Sequence, residues 1–259
     1  MKQSLLWKLQ KENHHTSFLF GTMHVKSQAA FQRIEQVKRI LEDVDVFAAE
    51  YHLDEVQSHA ANEHLFIPEG GKISDILSKK KFERIRNQLI KSFSIDLQLF
   101  DRFLPMVLVN FIGEAILSQE YNLPLDVYLW KYAKSLDKKL KGMETFESQR
   151  KILHNISLSD QIKMLKDLAR NTGKYRKNIF RMSMWYEEEQ IQKLYKNGKQ
   201  SLGKYKHILL KNRNKKIAAR FDQISESRSL FCAVGAGHLA GNYGILVLLK
   251  NNNWKLEAI

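Results

Sequence analysis

Two segments near opposite ends of the 259-residue chain share one design. Phe18-Leu19-Phe20-Gly21-Thr22-Met23-His24 is an apolar run that breaks into Gly-x-x-His, and Phe231-Cys232-Ala233-Val234-Gly235-Ala236-Gly237-His238 does the same. A buried strand that turns at glycine and then presents an imidazole puts the ring beyond the strand end, where open α/β sheets bind ligands. Two further predicted strands end in carboxylates, the apolar Val44 to Ala49 before Glu50, and the turn and short strand Leu136 to Met143 before Glu144. If these four strands are parallel, His24, Glu50, Glu144 and His238 leave one sheet edge together. Two imidazoles and two carboxylates suit a divalent cation with an activated water, the expected ligands being His24, Glu50 and His238. They also suit metal-free general acid and base work. An arginine completes either scheme by stabilising charge on oxygen, and Arg213 in Asn212-Arg213-Asn214 is a candidate, although spacing alone does not single it out. Gly21, Gly235 and Gly237 are expected where the backbone comes close to a bound group.

Other chemistries have thinner support. The sequence contains no Gly-x-Ser-x-Gly elbow, no Gly-x-x-x-x-Gly-Lys-Ser/Thr loop and no His-Glu-x-x-His helix. Gly235-x-Gly237-x-x-x-Gly241 misses the dinucleotide spacing. His52, His59 and His64 read as helical surface residues. Cys232 is the one cysteine, which excludes an internal disulfide, and its place in an apolar strand suits a buried small hydrophobe better than a nucleophile.

The elements that must hold these groups follow from periodicity. Ser4–Leu9 and Thr16–Phe20 flank the polar stretch 10–15 and read as a β-hairpin, with His14 and His15 solvated in its turn. A helix follows His24, with Ala30, Ile34, Val37, Ile40 and Leu41 on one face, and then the strand ending at Glu50. Helix dominates afterwards: Leu104 to Tyr121 with Pro105 in its first turn, Leu125 to about Ser135, and Glu147 to about Ile224 with breaks near Gly173 and Gly198. Ser157 or Ser159 is a candidate cap. A strand at Ser229–Val234, a helix at Gly244–Lys250 and a strand at Trp254–Ile259 close the chain. The expected fold is α/β: a central mixed or mostly parallel sheet with an N-terminal β-hairpin and a large helical insertion. It forms a single domain over 1–259, in which helical regions 52–135 and 147–225 cover the α/β core.

A hydrophobic content of 44% supports a substantial core, and 3 prolines and 12 glycines argue against a disordered or linker-rich chain. No run of about 18 apolar residues is present, so no membrane span is expected. Met1 to Leu9 is too short an apolar stretch for a signal peptide, which makes a cytoplasmic location the expectation. The excess of 42 Lys+Arg over 28 Asp+Glu attracts anions in general. Without a zinc finger, an RNP aromatic pair or a KH loop, a solvated lysine-rich face is favoured over nucleic-acid binding.

Phe20-Gly21-Thr22-Met23-His24-Val25, Phe47-Ala48-Ala49-Glu50, Leu125-Asp126-Val127-Tyr128-Leu129 with Ala133, Lys141-Gly142-Met143-Glu144-Thr145 with Glu147 and Gln149, Arg213-Asn214, and Ala233-Val234-Gly235-Ala236-Gly237-His238-Leu239 with Gly241 and Gly244 occur in this order. In order and spacing they resemble the TraB/PrgY/GumN family, within the superfamily of Tiki proteases and erythromycin esterase-like proteins. The resemblance runs through most of the chain. One departure is Met106 after Pro105, where family members often carry Pro-Trp. The resemblance implies an α/β core with a helical insertion of the erythromycin esterase and ChaN type, and a site of His24, Glu50, Glu144, Arg213 and His238. It implies a hydrolase of peptide or ester bonds acting on a peptide or small molecule, with Mn, Co, Zn or Fe as the candidate metal. The alternative is a binding protein of the same fold that holds haem, a signal peptide or another small ligand without turnover. A basic nucleic-acid or acidic-surface binder is a third reading.

Overall fold

The computed structural model describes residues 2–57 and 65–259. His59 and His64 lie outside the described residues. Two compact units are distinguished: Met1–Glu55, Gln119–Ile152 and Met182–Ile259 form the first, Val56–Ser118 and Leu153–Arg181 the second.

The first unit is built on a six-stranded sheet. Its strands are β1 (Leu6–Gln10), β2 (Ser17–Thr22), β3 (Val46–Ala49), β4 (Lys139–Gly142), β5 (Leu230–Gly235) and β6 (Lys255–Ala258), in the spatial order β4-β3-β5-β2-β1-β6. The pairs β4/β3, β3/β5 and β5/β2 are parallel, while β1 is antiparallel to both β2 and β6. The sheet is therefore mixed, with the expected hairpin at its start, and the strands carrying the four candidate groups all run the same way. β3 and β5 read as near-continuous apolar runs because strands covered on both faces have no polar side to show. The outer strands Lys139-Leu140-Lys141-Gly142 and Lys255-Leu256-Glu257-Ala258 place charges along the open edges, which discourages pairing with another chain.

Register among the central strands is carried by an aromatic ladder. Phe18 and Phe47 lie directly opposite Phe231 on its two sides. Their rings stack on it at centroid distances of 6.4 and 6.2 Å. A slip of one residue would turn Phe231 to the other face of the sheet and break both stacks. The ladder thus fixes where each strand ends and where Glu50 and His238 emerge.

Helices follow the strands much as expected. They include Ile34–Asp43 after β2, Leu125–Ser135 before β4, and Arg213–Ser225 before β5. Two boundaries differ. The Pro105 helix ends at Ile116, with Leu117 already extended. The expected break near Gly173 falls at Asn171, between helices Leu158–Arg170 and Thr172–Glu187, whereas helix Ile191–Leu202 runs through Gly198. A single glycine costs a helix only about 1 kcal/mol relative to alanine. The later breaks fall at Glu189 and Gly203, where the backbone takes positive φ of 55° and 51°.

The second unit is helical and has its own core. Leu89, Leu97, Leu108, Ile112 and Leu165 are completely buried in it. Gln161 is buried there too, accepting from the Met106 amide and donating to the carbonyls of Leu153 and Ile156. Ser157 caps helix Leu158–Arg170 by accepting from the Asp160 amide.

Candidate functional site

Glu50 follows β3 immediately, Glu144 stands two residues beyond β4, and His238 three beyond β5. Arg213 reaches them from the first turn of helix Arg213–Ser225, which the chain enters through a π-helical turn at His207–Asn212. Such turns are rare and often occur at functional sites. Arg213 Nη2 donates to Glu50 Oε2 at 2.5 Å, and Nε donates to Glu144 Oε2 at 2.7 Å. Nη1 lies 3.4 Å from His238 Nε2. One guanidinium thus joins three strand ends.

Glu50 takes two more donors, the Gly235 amide on Oε1 at 2.8 Å and Gln149 Nε2 on Oε2 at 3.3 Å. Burial alone would raise the Glu50 carboxyl. The Arg213 charge, the nearby His238 and the Gly235 amide outweigh it and hold the carboxyl well below its usual range. Burial opposes the Arg213 charge in the same way, and Glu50 and Glu144 overcome it. Glu144 is buried, and its Oε1 has no hydrogen-bond partner.

His238 is 7% exposed. Asn214 donates through Nδ2 to two backbone carbonyls, those of His238 at 3.2 Å and Tyr243 at 2.8 Å. Carbonyls only accept, so the amide orientation is fixed and Oδ1 faces His238 Nδ1 at 2.5 Å. Nδ1 therefore carries the proton and Nε2 the lone pair. Burial lowers the ring's pKa to about 4, although Glu50 pulls it upward. At neutral pH His238 is a neutral imidazole whose Nε2 faces Arg213 and, at 3.9 Å, Glu50 Oε1.

His24 stands two residues beyond β2 with its side chain 49% exposed. Its Nδ1 lies 2.7 Å from both oxygens of Asp126. A carboxylate accepts, so the neutral ring carries its lone pair on Nε2, as His238 does. His24 thus sits at the expected edge, paired with Asp126. Burial, with Asp126 and Glu50 close by, pushes the Tyr51 hydroxyl up to about 12.

The two Gly-x-x-His units pack on each other. A Cβ on Gly21 would lie 2.6 Å from Leu239 Cδ1 and 3.1 Å from Ala236 Cα, both in the turn after β5. A Cβ on Gly235 would lie 3.1 Å from Glu50 Oε1. Gly21 and Gly235 therefore clear space for the protein's own atoms, whereas a Cβ on Gly237 would meet nothing within 4 Å.

Asn214 and Asp126 were not among the residues selected from sequence. The only signal for either was its place in a motif beside a selected residue or in the middle block. Two histidines differ from expectation. His52 is half-buried just before the 3₁₀ turn Leu53–Gln57, with its ring edge-on to Trp130 at 4.7 Å. His14 is also turned inward, with 9% of its side chain exposed.

The sequence model of one family matches residues 5–258, which takes in every residue of the edge cluster. The chain belongs to the TraB/PrgY/gumN family. It is also 23% identical to a protein of Xenopus tropicalis named Metalloprotease TIKI2, over 98% of this chain and 59% of that one. The chain thus spans about three fifths of that relative's length. No solved structure matches it.

The donor types at this edge of the TraB/PrgY/gumN chain are those a divalent cation takes. Two imidazoles have Nδ1 held by an outer partner, the arrangement that orients a ligating histidine. Carboxylates lie beside them, and one buried oxygen has no partner. Among the described residues, the ligand atoms of His24, Glu50 and His238 do not all come within 4.8 Å of one another.

Proposed function

We propose that the chain is a hydrolase of peptide or ester bonds, working at the carboxyl edge of β2, β3, β4 and β5. One observation carries this reading: Arg213 gathers Glu50, Glu144 and a neutral, tautomer-fixed His238 into one hydrogen-bonded cluster. Buried groups with strongly shifted pKa values, meeting at a strand edge, mark a site built for chemistry. The relative named as a metalloprotease supports the metal-dependent form of the reading.

His24 and His238, through Nε2, and Glu50 would hold the metal, with Mn, Co, Zn or Fe as the candidates. When bound, it would supply a Lewis acid and lower the pKa of a coordinated water. The protein's own contribution is positional. Asn214 and Asp126 keep the two lone pairs on Nε2. Glu50 stays ionised, which suits a ligand or a fixed negative charge beside a water better than a strong base. Glu144, with one oxygen tied to Arg213, has the other available for acid/base work. Arg213 offsets part of the Glu50 and Glu144 charge and holds both carboxylates at this edge; holding a substrate carboxylate or a developing oxyanion would require it to exchange one of these partners. A hollow of about 240 Å³ beside Asn214 adds Lys199, Lys206 and Lys211 along its wall, which suits an anionic substrate end.

Purified chain would be assayed for bound metal and for peptide and ester hydrolysis, with His24→Ala and His238→Ala alongside. Both variants are expected to lose the metal equivalent of this edge and at least about a hundredfold in activity, in line with the loss of a ligand or general base. Unchanged metal content and activity in both would sink the proposal. Saturable haem or peptide binding without product would instead favour the non-catalytic reading.

A further inference from the structure

A second group of ligating side chains lies at the turn joining β1 to β2. His14 follows Asn13, whose φ of 58° is left-handed. The ring turns inward against Trp254, edge-on at 5.2 Å. Nδ1 lies 3.0 Å from the Glu12 carbonyl oxygen, which only accepts, so the neutral ring carries its lone pair on Nε2. Nε2 is buried and has no hydrogen-bond partner. It faces Asp222 Oδ1 at 3.6 Å and Glu226 Oε1 at 4.0 Å. Asp222 and Glu226 are four residues apart at the end of helix Arg213–Ser225, so they share a face. Among the described residues this is the one group of three such side chains whose ligand atoms all lie within 4.8 Å of one another.

The surroundings hold the group in place. The His15 amide donates to the Ser225 carbonyl at 2.8 Å, and Ser17 Oγ donates to Ser225 Oγ at 3.0 Å. These bonds tie the turn to the helix end. Lys11 Nζ and Trp254 Nε1 both donate to Asp222 Oδ1, at 2.8 and 2.7 Å, and fix its carboxylate. A tetrahedral ion with bonds of about 2.0–2.1 Å holds its donor atoms about 3.3 Å apart. The 3.6 Å gap is already close to that value. Glu226, with 62% of its side chain exposed, has room to close the 4.0 Å one.

We propose that His14, Asp222 and Glu226 form a second cation site, for Zn²⁺ or a similar first-row divalent ion, with water completing the tetrahedron. An imidazole nitrogen and two carboxylate oxygens are the donors such an ion takes. The Lys11 ammonium and the Trp254 indole N–H both compete for Asp222 Oδ1, so binding is weaker than in a site without them. The role is structural: the ion joins the hairpin turn to the helix end and holds His14 against Trp254. This site does not depend on the hydrolase reading.

The test uses the whole chain stripped with EDTA and titrated with Zn²⁺ alone against a chromophoric chelator. Wild type is expected to bind one equivalent that His14→Gln and Glu226→Gln lose, or bind at least about tenfold more weakly. A His24→Ala/His238→Ala chain keeps that equivalent, which separates this site from the sheet edge. Zn²⁺ also raises the thermal midpoint of wild type more than that of either variant. Glu226 is exposed, so its variant tests the site even if His14→Gln folds poorly. The same number and strength of equivalents in wild type and Glu226→Gln overturns the proposal.

Discussion

Asn214 governs what His238 is able to do. Its amide satisfies two backbone carbonyls and, by doing so, turns its own oxygen toward His238 Nδ1. Asn214→Ala removes all three bonds inside a buried pocket. Each buried group left without a partner costs about 1–3 kcal/mol, so a loss of about 2–4 kcal/mol is expected. For a chain of this size that lowers the thermal midpoint by about 5–15 °C. A merely structural residue would show this loss alone. Because Asn214 sets the tautomer, ¹⁵N NMR of His238 should also change. Wild type is expected to carry its proton on Nδ1, and the variant a mixture of Nδ1 and Nε2. A variant with the wild-type tautomer would mean that Asn214 is only a backbone fastener.

At the scale of elements, the site exists because parallel strands end close together. The end of β4 shows how close. A Cβ on Gly142 would lie 2.6 Å from the His52 amide nitrogen, 2.7 Å from the Glu144 carbonyl oxygen and 3.0 Å from the Tyr51 carbonyl carbon. All three are backbone atoms, so no side-chain rotation relieves them. Gly142→Ala must push β4 away from the segment after β3, separating Glu144 from Glu50. Overpacking of this kind costs about 1–3 kcal/mol, and urea midpoints would measure it. The shift should also loosen Arg213, so activity is expected to fall further than stability alone explains. A variant with wild-type stability would show that the two strand ends move independently. These same strand ends were legible in the sequence, because an apolar run ending at Glu50 or His238 is a local signal that pairing merely completes. Arg213 had no such signal: it comes from a helix about 70 residues beyond Glu144, and only the family resemblance picked it out. His14 was read as solvated because its neighbours in the turn are polar. Trp254, which covers it, lies 240 positions further on, and no local pattern announces it. Gly198 misleads for a different reason: glycine weakens a helix without ending it, and the positive-φ turns fall at Glu189 and Gly203.

For the whole molecule, the buried cluster predicts how stability responds to acid. The chain carries a formal charge of +14 at pH 7. Further protonation increases self-repulsion, so acid weakens the fold by a general route that salt relieves. His238 adds a specific route. Its pKa is about 4 in the folded chain, lowered first by burial, against about 6.5 in an unfolded one. Between those values the unfolded chain takes up a proton that the folded chain refuses. His238's contribution is therefore complete above pH 6.5 and lost as pH falls through about 4, and it is worth about 3 kcal/mol. Glu50 is also held below its ordinary range, so its contribution is present above its unfolded pKa and fails only in more acidic solution. Most of the window between pH 6.5 and 4.5 thus belongs to His238 among these two. Urea midpoints in EDTA at pH 7 and pH 5, at low and high salt, separate the routes. Wild type is expected to lose about 2 kcal/mol to His238 over that step, and high salt should not restore it. His238→Gln, less stable at pH 7, should lack this part of the loss. Equal losses in the two chains would mean that His238 accepts a proton where it sits, and that the neutral imidazole facing Arg213 does not exist in solution.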